Sequence, residues 1–173
     1  MEEAKKKPTF IFEPLGSAHD RAAFACGEPI LDDYLKTQAS QEAKKKIAAV
    51  FVMTADGRAV AGFYTLSQFS ILSSGIPEAI SRKLPKYDRI PATLIGRLAR
   101  HTAHRKTGVG DLLLADALRL CLEISKQAAS WAVIVEAENE SGTTFYKSWG
   151  FEAFPSHPLK LFLPIVTIEK MFA

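Results

Sequence analysis

The stretch from Ile90 to Gly110, IPATLIGRLARHTAHRKTGVG, constrains the fold more than any other, because an apolar strand-like run passes into a glycine-punctuated turn that opens a long helix. Leu94, Ile95, Leu98 and Ala99 make the apolar run; Arg97 and Arg100 interrupt it, which directs one or both toward a cleft or solvent. From Val109 the apolar period becomes helical. Val109, Leu112, Leu113, Leu120, Cys121 and Ile124 fill one side, and Asp111, Asp116, Arg119 and Glu123 mark the other.

Gly108 and Gly110 remove Cβ atoms where a backbone must approach a ligand, and the first turn of a helix carries amides with no partner inside the helix. Those donors, with the positive end of the helix dipole, suit a pyrophosphate. Arg105 and Lys106 add cations beside it. The same pattern also fits an ordinary Gly-rich strand–helix turn. A Walker loop is excluded, since no Gly-Lys-Ser/Thr follows, and the G-x-G-x-x-G dinucleotide fingerprint is absent.

A second stretch narrows the reading. Trp131 to Glu138, WAVIVEAE, is a continuous β-type run, and the residues from Asn139 predict a short helix ended by Gly150. Here the chain resembles the GCN5-related N-acetyltransferase family. The acyl-coenzyme A signature [Q/R]-x-x-G-x-[G/A] is matched by Arg105, Gly108 and Gly110, and the later N-x(5)-F-Y-x(3)-G-F signature by Asn139, Phe145, Tyr146, Gly150 and Phe151. Phe24, Cys26-Gly27, Leu31, Asp33-Tyr34-Leu35, Gly62 to Leu66, Ile90-Pro91-Ala92, Gly96 to Ala99 and Leu161 to Pro164 further resemble the acetyltransferase toxins of bacterial toxin–antitoxin pairs. The likeness runs from about Phe12 to Met171.

The resemblance implies a mixed α/β (α+β) domain: a mostly antiparallel sheet of six to seven strands flanked by helices, with a splayed strand pair at the acetyl-coenzyme A site. It implies acetyl-coenzyme A as co-substrate, the α-amino group of an aminoacyl-tRNA as acceptor, and blocked translation as the result. The implied partner is a small antitoxin with a ribbon-helix-helix DNA-binding domain, so that DNA is met only through the antitoxin complex. A homodimer is a further implication. The chain departs from the subfamily at Arg100-His101 and at Lys106, each change adding positive charge beside the turn.

With 173 residues, 9–173 are expected to form one domain, preceded by a flexible N-terminus over 1–8. A content of 47% hydrophobic and 24% charged residues is that of a soluble globular protein, and a formal charge of +3 permits a polyanionic partner without requiring one. Cys26 and Cys121 have neither C-x-x-C spacing nor a His/Cys set nearby, which argues against zinc and against a disulfide framework. Met1 to Lys7 lead into no apolar h-region, and no apolar run approaches a membrane span of roughly 18 residues. A cytoplasmic location follows.

Taken in order, Thr9 to Phe12 start the first strand, and His19 to Lys46 read as helix broken near Cys26-Gly27-Glu28-Pro29. In that helix Ile30, Leu31, Tyr34 and Leu35 face the core. Ala48 to Met53 and Ala59 to Phe69 form a hairpin across Asp56-Gly57. Ser73 to Arg89 read as a loop with one short helix; a short strand follows Phe151, and a final strand runs from Leu159 to Ile168.

Acetyl transfer from a thioester to an amine needs a held co-substrate, a neutral amine, a stabilised oxyanion and a proton for the departing thiolate. The co-substrate contacts implied by the family fall on Leu98, Ala99 and Arg100 for the pantetheine arm and on Arg105, Lys106, Thr107, Gly108, Val109, Gly110 and Asp111 for the pyrophosphate. Tyr146 is the candidate general acid, since a phenol with an unperturbed pKa of about 10 keeps its proton at neutral pH and can offer it to the thiolate. Asn139 bonds the coenzyme arm, caps the following helix, or does both. Glu136, Glu138 and His101 are possible bases, although an aminoacyl ester acidifies its own amine enough for water to serve. Lys36, Lys44, Lys45, Lys46, Arg89 and Arg97 are the cations placed around the acceptor mouth; the plainer reading of the three consecutive lysines is a helix end that stays soluble. No metal ligand set is expected. Two other functions fit the pattern: acetylation of a small amine or protein N-terminus, and a catalytically idle acyl-coenzyme A-binding module.

Overall fold

The computed structural model describes residues 8–173, so the expected frayed segment lies, over residues 1–7, outside the described residues. Seven strands and six α-helices follow in the order β1 (Ile11–Pro14), α1 (Pro29–Asp33), α2 (Ala39–Lys44), β2 (Ala49–Thr54), β3 (Gly62–Leu72), α3 (Glu78–Ser81), β4 (Arg89–Arg100), α4 (Val109–Gln127), β5 (Ala132–Glu136), α5 (Glu140–Ser148), β6 (Glu152–Phe154), β7 (His157–Pro164) and α6 (Ile165–Met171). The strands take the order β1-β2-β3-β4-β5-β7-β6. β4 and β5 run parallel; β1 with β2, β5 with β7 and β6 with β7 are antiparallel. This is the mixed, mostly antiparallel sheet with flanking helices that the sequence implied.

Two compact units make up the described residues, and β3, β4 and α4 each pass through both. The first holds residues up to Thr65 and Arg97–Leu114; its core gathers Phe24, Tyr34, Leu35, Val50, Val52, Val60, Phe63 and Ala99. The second holds Leu66–Gly96 and Ala115–Ala173, around Ile71, Ile76, Ile90, Ile134, Phe154 and Phe162.

The β2–β3 connection shows how local chemistry sets a turn. The Asp56 carboxylate accepts from the amides of Arg58 and Ala59, both at 2.8 Å, and Gly57 takes the positive φ that a side chain resists. Those two hydrogen bonds hold the Asp56 carboxyl below its ordinary range. Close packing appears a few residues later, where a Cβ built on Gly62 would stand 2.5 Å from Leu113 Cδ1 and 3.0 Å from the Ala99 carbonyl. Leu113 is fully buried, so Gly62→Ala is expected to destabilise the fold by about 1–3 kcal/mol through overpacking, read by urea denaturation. A neutral result would mean that α4 does not seat against β3 as described.

Several expectations shift. The first strand begins at Ile11, two residues late. Residues from His19 to Ala25 are not helical, because Asp20 forms a parallel bridge with Ala59 and its amide donates to the Arg58 carbonyl, which pins the segment to the sheet. Helix starts only at Pro29, whose fixed φ suits the first turn, and continues through a π-helical segment, Tyr34–Gln38. Tyr34 and Leu35 are buried as expected, whereas Ile30 is 81% exposed. On α4, Leu112 also faces out; Leu113, Leu114, Ala117, Leu118 and Cys121 are the buried stripe. The last strand stops at Pro164, and Ile165 to Met171 form a helix that buries Ile165 and Ile168.

Candidate active site

The predicted strand–turn–helix junction forms, and its residues from Arg97 onward belong to the first unit. β4 pairs with β5 over Ala92 to Ile95, where that register ends, and β4 then continues to Arg100. The half-buried Leu98 and Arg100 flank the buried Ala99 on this last stretch. The chain next makes a single 3₁₀ turn, Thr102–His104, before α4 starts at Val109. Arg105, Lys106, Thr107 and Gly108 are exposed, and Val109 is buried.

Backbone geometry explains the composition of the turn. Lys106 has φ 59° and Gly108 φ 81°, so two residues of the loop occupy the left-handed region. The Thr107 hydroxyl donates to the His104 carbonyl and closes the loop from within. Gly108 supplies the carbonyl that accepts from Leu112, so the helical bonding of α4 begins there. A Cβ on Gly27, itself at φ 93°, would lie 2.9 Å from an Arg105 guanidinium nitrogen. Gly27 thus makes room for the arginine of the signature. The arrangement offers clustered amides, a helix N-terminus and two exposed cations, which fits a diphosphate.

His101, a possible base, is fully engaged. Its Nδ1 accepts from the Ala103 amide at 3.0 Å, and its Nε2 lies 3.1 Å from the Ala23 carbonyl. The ring is a cap and a tether, with no nitrogen left for an amine.

Among the candidate acceptor cations, Arg97 is engaged by an aromatic ring. Its guanidinium lies over the Tyr34 ring, 3.6 Å from the centroid. Tyr34 is almost completely buried, and its phenol is pushed above the ordinary range by burial first and then by the Glu42 carboxylate. The sequence did not mark Tyr34 or Glu42 as functional, because their relation to Arg97 arises only when the π-helical segment packs against β4. Lys36, Lys44, Lys45 and Lys46 are exposed, the last at φ 60° just past the end of α2.

The second unit holds the other set. Asn139 caps α5, its side-chain oxygen accepting from the Gly142 amide at 3.0 Å, so the capping alternative is realised. Tyr146 lies within α5 itself, 8% exposed, with Phe145 and Phe151 edge-on at 5.3 and 5.4 Å. Burial, and next the charge of Glu138, raise its phenol to about 12. Glu136 and Glu138 are solvent-exposed at the end of β5. Arg89 stands at the far end of β4 from Arg100 and donates to the Ser70 hydroxyl at 3.3 Å. A cleft lined by Glu136, Ala137, His157, Pro158, Leu159 and Lys160 opens beside β5 and β7; of these only Glu136 was marked by sequence reasoning.

Among the described residues no cluster could hold a metal ion, and no helix is long and apolar enough to cross a membrane.

No protein-family model matches the chain. It is 36% identical over 170 residues to the probable toxin TacT of Sinorhizobium fredii, spanning 93% of this chain and 94% of that one. It is 34% identical over 149 residues to the tRNA-acetylating toxin of Mycobacterium tuberculosis, at 86% and 88% coverage. Its fold matches AtaT complexed with acetyl-methionyl-tRNAfMet with a TM-score of 0.88 and 30% identity, over 95% of this chain and 100% of that one. AtaT has also been solved with its antitoxin and acetyl-coenzyme A, and as a tyrosine-to-phenylalanine mutant bound to the C-terminus of the antitoxin AtaR; these match with TM-scores of 0.82 and 0.81 at 30% and 29% identity, over 95% of this chain and 98% of theirs.

Proposed function

The chain belongs to the acetyltransferase toxins of the GCN5-related N-acetyltransferase family, and from that premise we propose that it moves an acetyl group from acetyl-coenzyme A to the α-amino group of an aminoacyl-tRNA and so inhibits translation. The observation that carries this reading is identity above 30% along almost the whole length of a tRNA-acetylating toxin and of a probable toxin. Residues 9–173 act as one acetyltransferase domain, in the cytoplasm. The chain pairs with a ribbon-helix-helix antitoxin, as AtaT does with an antitoxin, and works as a homodimer.

In this reading the Arg105–Gly110 turn, with Lys106, Thr107, Val109 and Asp111, holds the pyrophosphate. Leu98, Ala99 and Arg100 offer backbone groups to the pantetheine arm beyond the end of the β4–β5 register. A strand amide that polarises the thioester carbonyl is worth roughly 3 kcal/mol in comparable acyl transfers. The amine nitrogen attacks that carbonyl, the C–N bond forms, and the C–S bond breaks. Tyr146 donates its hydroxyl proton to the departing sulfur. With its phenol raised to about 12, handing a proton to a thiolate is uphill by itself, so it is coupled to loss of the proton on the attacking nitrogen. The amine proton, carried by water, returns to the Tyr146 oxygen, so the net movement is one proton from nitrogen to sulfur and the phenol is restored. No protein base is required, since the aminoacyl ester acidifies its own amine; of the candidates, His101 has both ring nitrogens engaged.

The test is transfer of labelled acetyl from acetyl-coenzyme A to charged tRNA, with uncharged tRNA and spermidine as controls. Label on charged tRNA alone is expected. Label only on spermidine, or on nothing, would overturn the acceptor assignment while leaving the family intact.

A further inference from the structure

We propose that His101 is a positioning residue for the Arg105–Gly110 turn, holding it in its ligand-binding shape only while the imidazole is neutral; the inference rests on the reading of that turn as the acetyl-coenzyme A pyrophosphate site. The two ring contacts fix the protonation state. A backbone amide can only donate and a carbonyl can only accept, so Nδ1, which faces the Ala103 amide at 3.0 Å, carries no hydrogen. Nε2, 3.1 Å from the Ala23 carbonyl, carries the one hydrogen of the ring. Both partners together select a single neutral tautomer.

His101 stands where β4 becomes the turn. Its amide donates to the Ala61 carbonyl at 2.8 Å, and the next amide, Thr102, donates to Ala25 at 2.9 Å. With the ring bond to Ala23, three bonds join the end of β4 to segments far away in sequence. From there the chain to the ligand turn is tied link by link: Ala103 to the ring, Arg105 to Thr102, Thr107 to His104. Lys106, strained at φ 59°, and Gly108 at φ 81° lie just beyond, so a shift at the cap passes into them. A second proton would sit on Nδ1 facing the Ala103 N–H, donor against donor. The cap would open, and the turn would lose its anchor.

Charged and titratable groups lie on each segment bonded to His101, and the one that precedes β3 carries Asp56 and Arg58. On its own side are Arg100, His104, Arg105 and Lys106, with the His104 ring edge-on at 6.3 Å. The loop opposite carries Asp20, Arg21, Cys26 and Glu28, and turns the apolar edge of Phe24 toward the imidazole at 5.8 Å. His104 is the other imidazole in this set, and it serves as the control.

The experiment measures acetyl-coenzyme A dissociation by calorimetry at about pH 8 and about pH 5.5, bracketing imidazole titration. The proteins are wild type, His101→Asn, His101→Ala, His104→Asn and Gly108→Val, each checked by thermal melting at both pH values. Wild type and His104→Asn are expected to bind about fivefold more weakly at the lower pH, the size of one lost cap. His101→Asn caps without titrating, so it should keep the high-pH affinity and lose the extra pH dependence. His101→Ala should bind weakly at both. Protonation of the ligand's own phosphates affects every variant alike. Equal pH dependence in wild type and His101→Asn overturns the inference, leaving the site reading intact if Gly108→Val abolishes binding. Unchanged binding by Gly108→Val overturns both.

Discussion

Replacing Tyr146 by phenylalanine is expected to lower turnover by about 10²–10⁴-fold with little change in acetyl-coenzyme A affinity. The substitution removes one oxygen from a buried ring whose packing against Phe145 and Phe151 is otherwise preserved. The loss should therefore fall on kcat, and the melting temperature should hardly move. The pH profile carries a second check. A phenol raised to about 12 by burial, and then by Glu138, keeps its proton across the usable alkaline range. Activity that needs the protonated form should persist as pH rises and fail only on approaching that value. An alkaline limb near pH 10 in the wild type would mean that Tyr146 is not desolvated as described. Glu138→Gln removes the lesser cause of the shift and should leave kcat within about threefold; a large loss with binding intact would assign Glu138 a proton-transfer role.

Phe162→Ala is expected to destabilise the protein by about 3–5 kcal/mol. Phe162 is completely buried, with ring centroids 5.6 Å from Trp131 and 4.9 Å from Phe154. It pairs with Ile134 on β5 and with Glu152 on β6, so the cavity would open in the middle strand of three. Urea unfolding followed by tryptophan fluorescence measures the effect, and a cost below about 1 kcal/mol would show that the neighbouring rings collapse into the space.

Legibility in the sequence followed the range of the forces involved. The β4–α4 junction and α5 were readable because their signals are local: Gly108 at a positive φ, Asn139 three residues before the amide it caps, Gly150 at the helix end. The helix from Ile165 was misread as strand because Ile165, Val166, Thr167 and Ile168 are β-branched, a preference that burial of Ile165 and Ile168 on one helical face overrides. The stretch from His19 to Ala25 was misread for the opposite reason, a helical pattern defeated by one long-range bridge from Asp20 to Ala59. In the candidate site, the turn and Tyr146 came from spacing. The stacking of Arg97 on Tyr34 and the double engagement of His101 could not, since His101 meets a carbonyl 78 residues away.

The two cysteines bear on kinetic order. Burial, and next a hydrogen bond with Asp32, raise the Cys26 thiol to about 11, and burial raises Cys121 to about 12. Neither is a thiolate at neutral pH, which disfavours both as carriers of the acetyl group. Direct transfer with donor and acceptor bound together is then expected, and initial-rate plots against both should intersect instead of running parallel. The same inertness leaves released coenzyme A as the reactive sulfur in solution, so a thiol-trapping dye would count product without counting the enzyme.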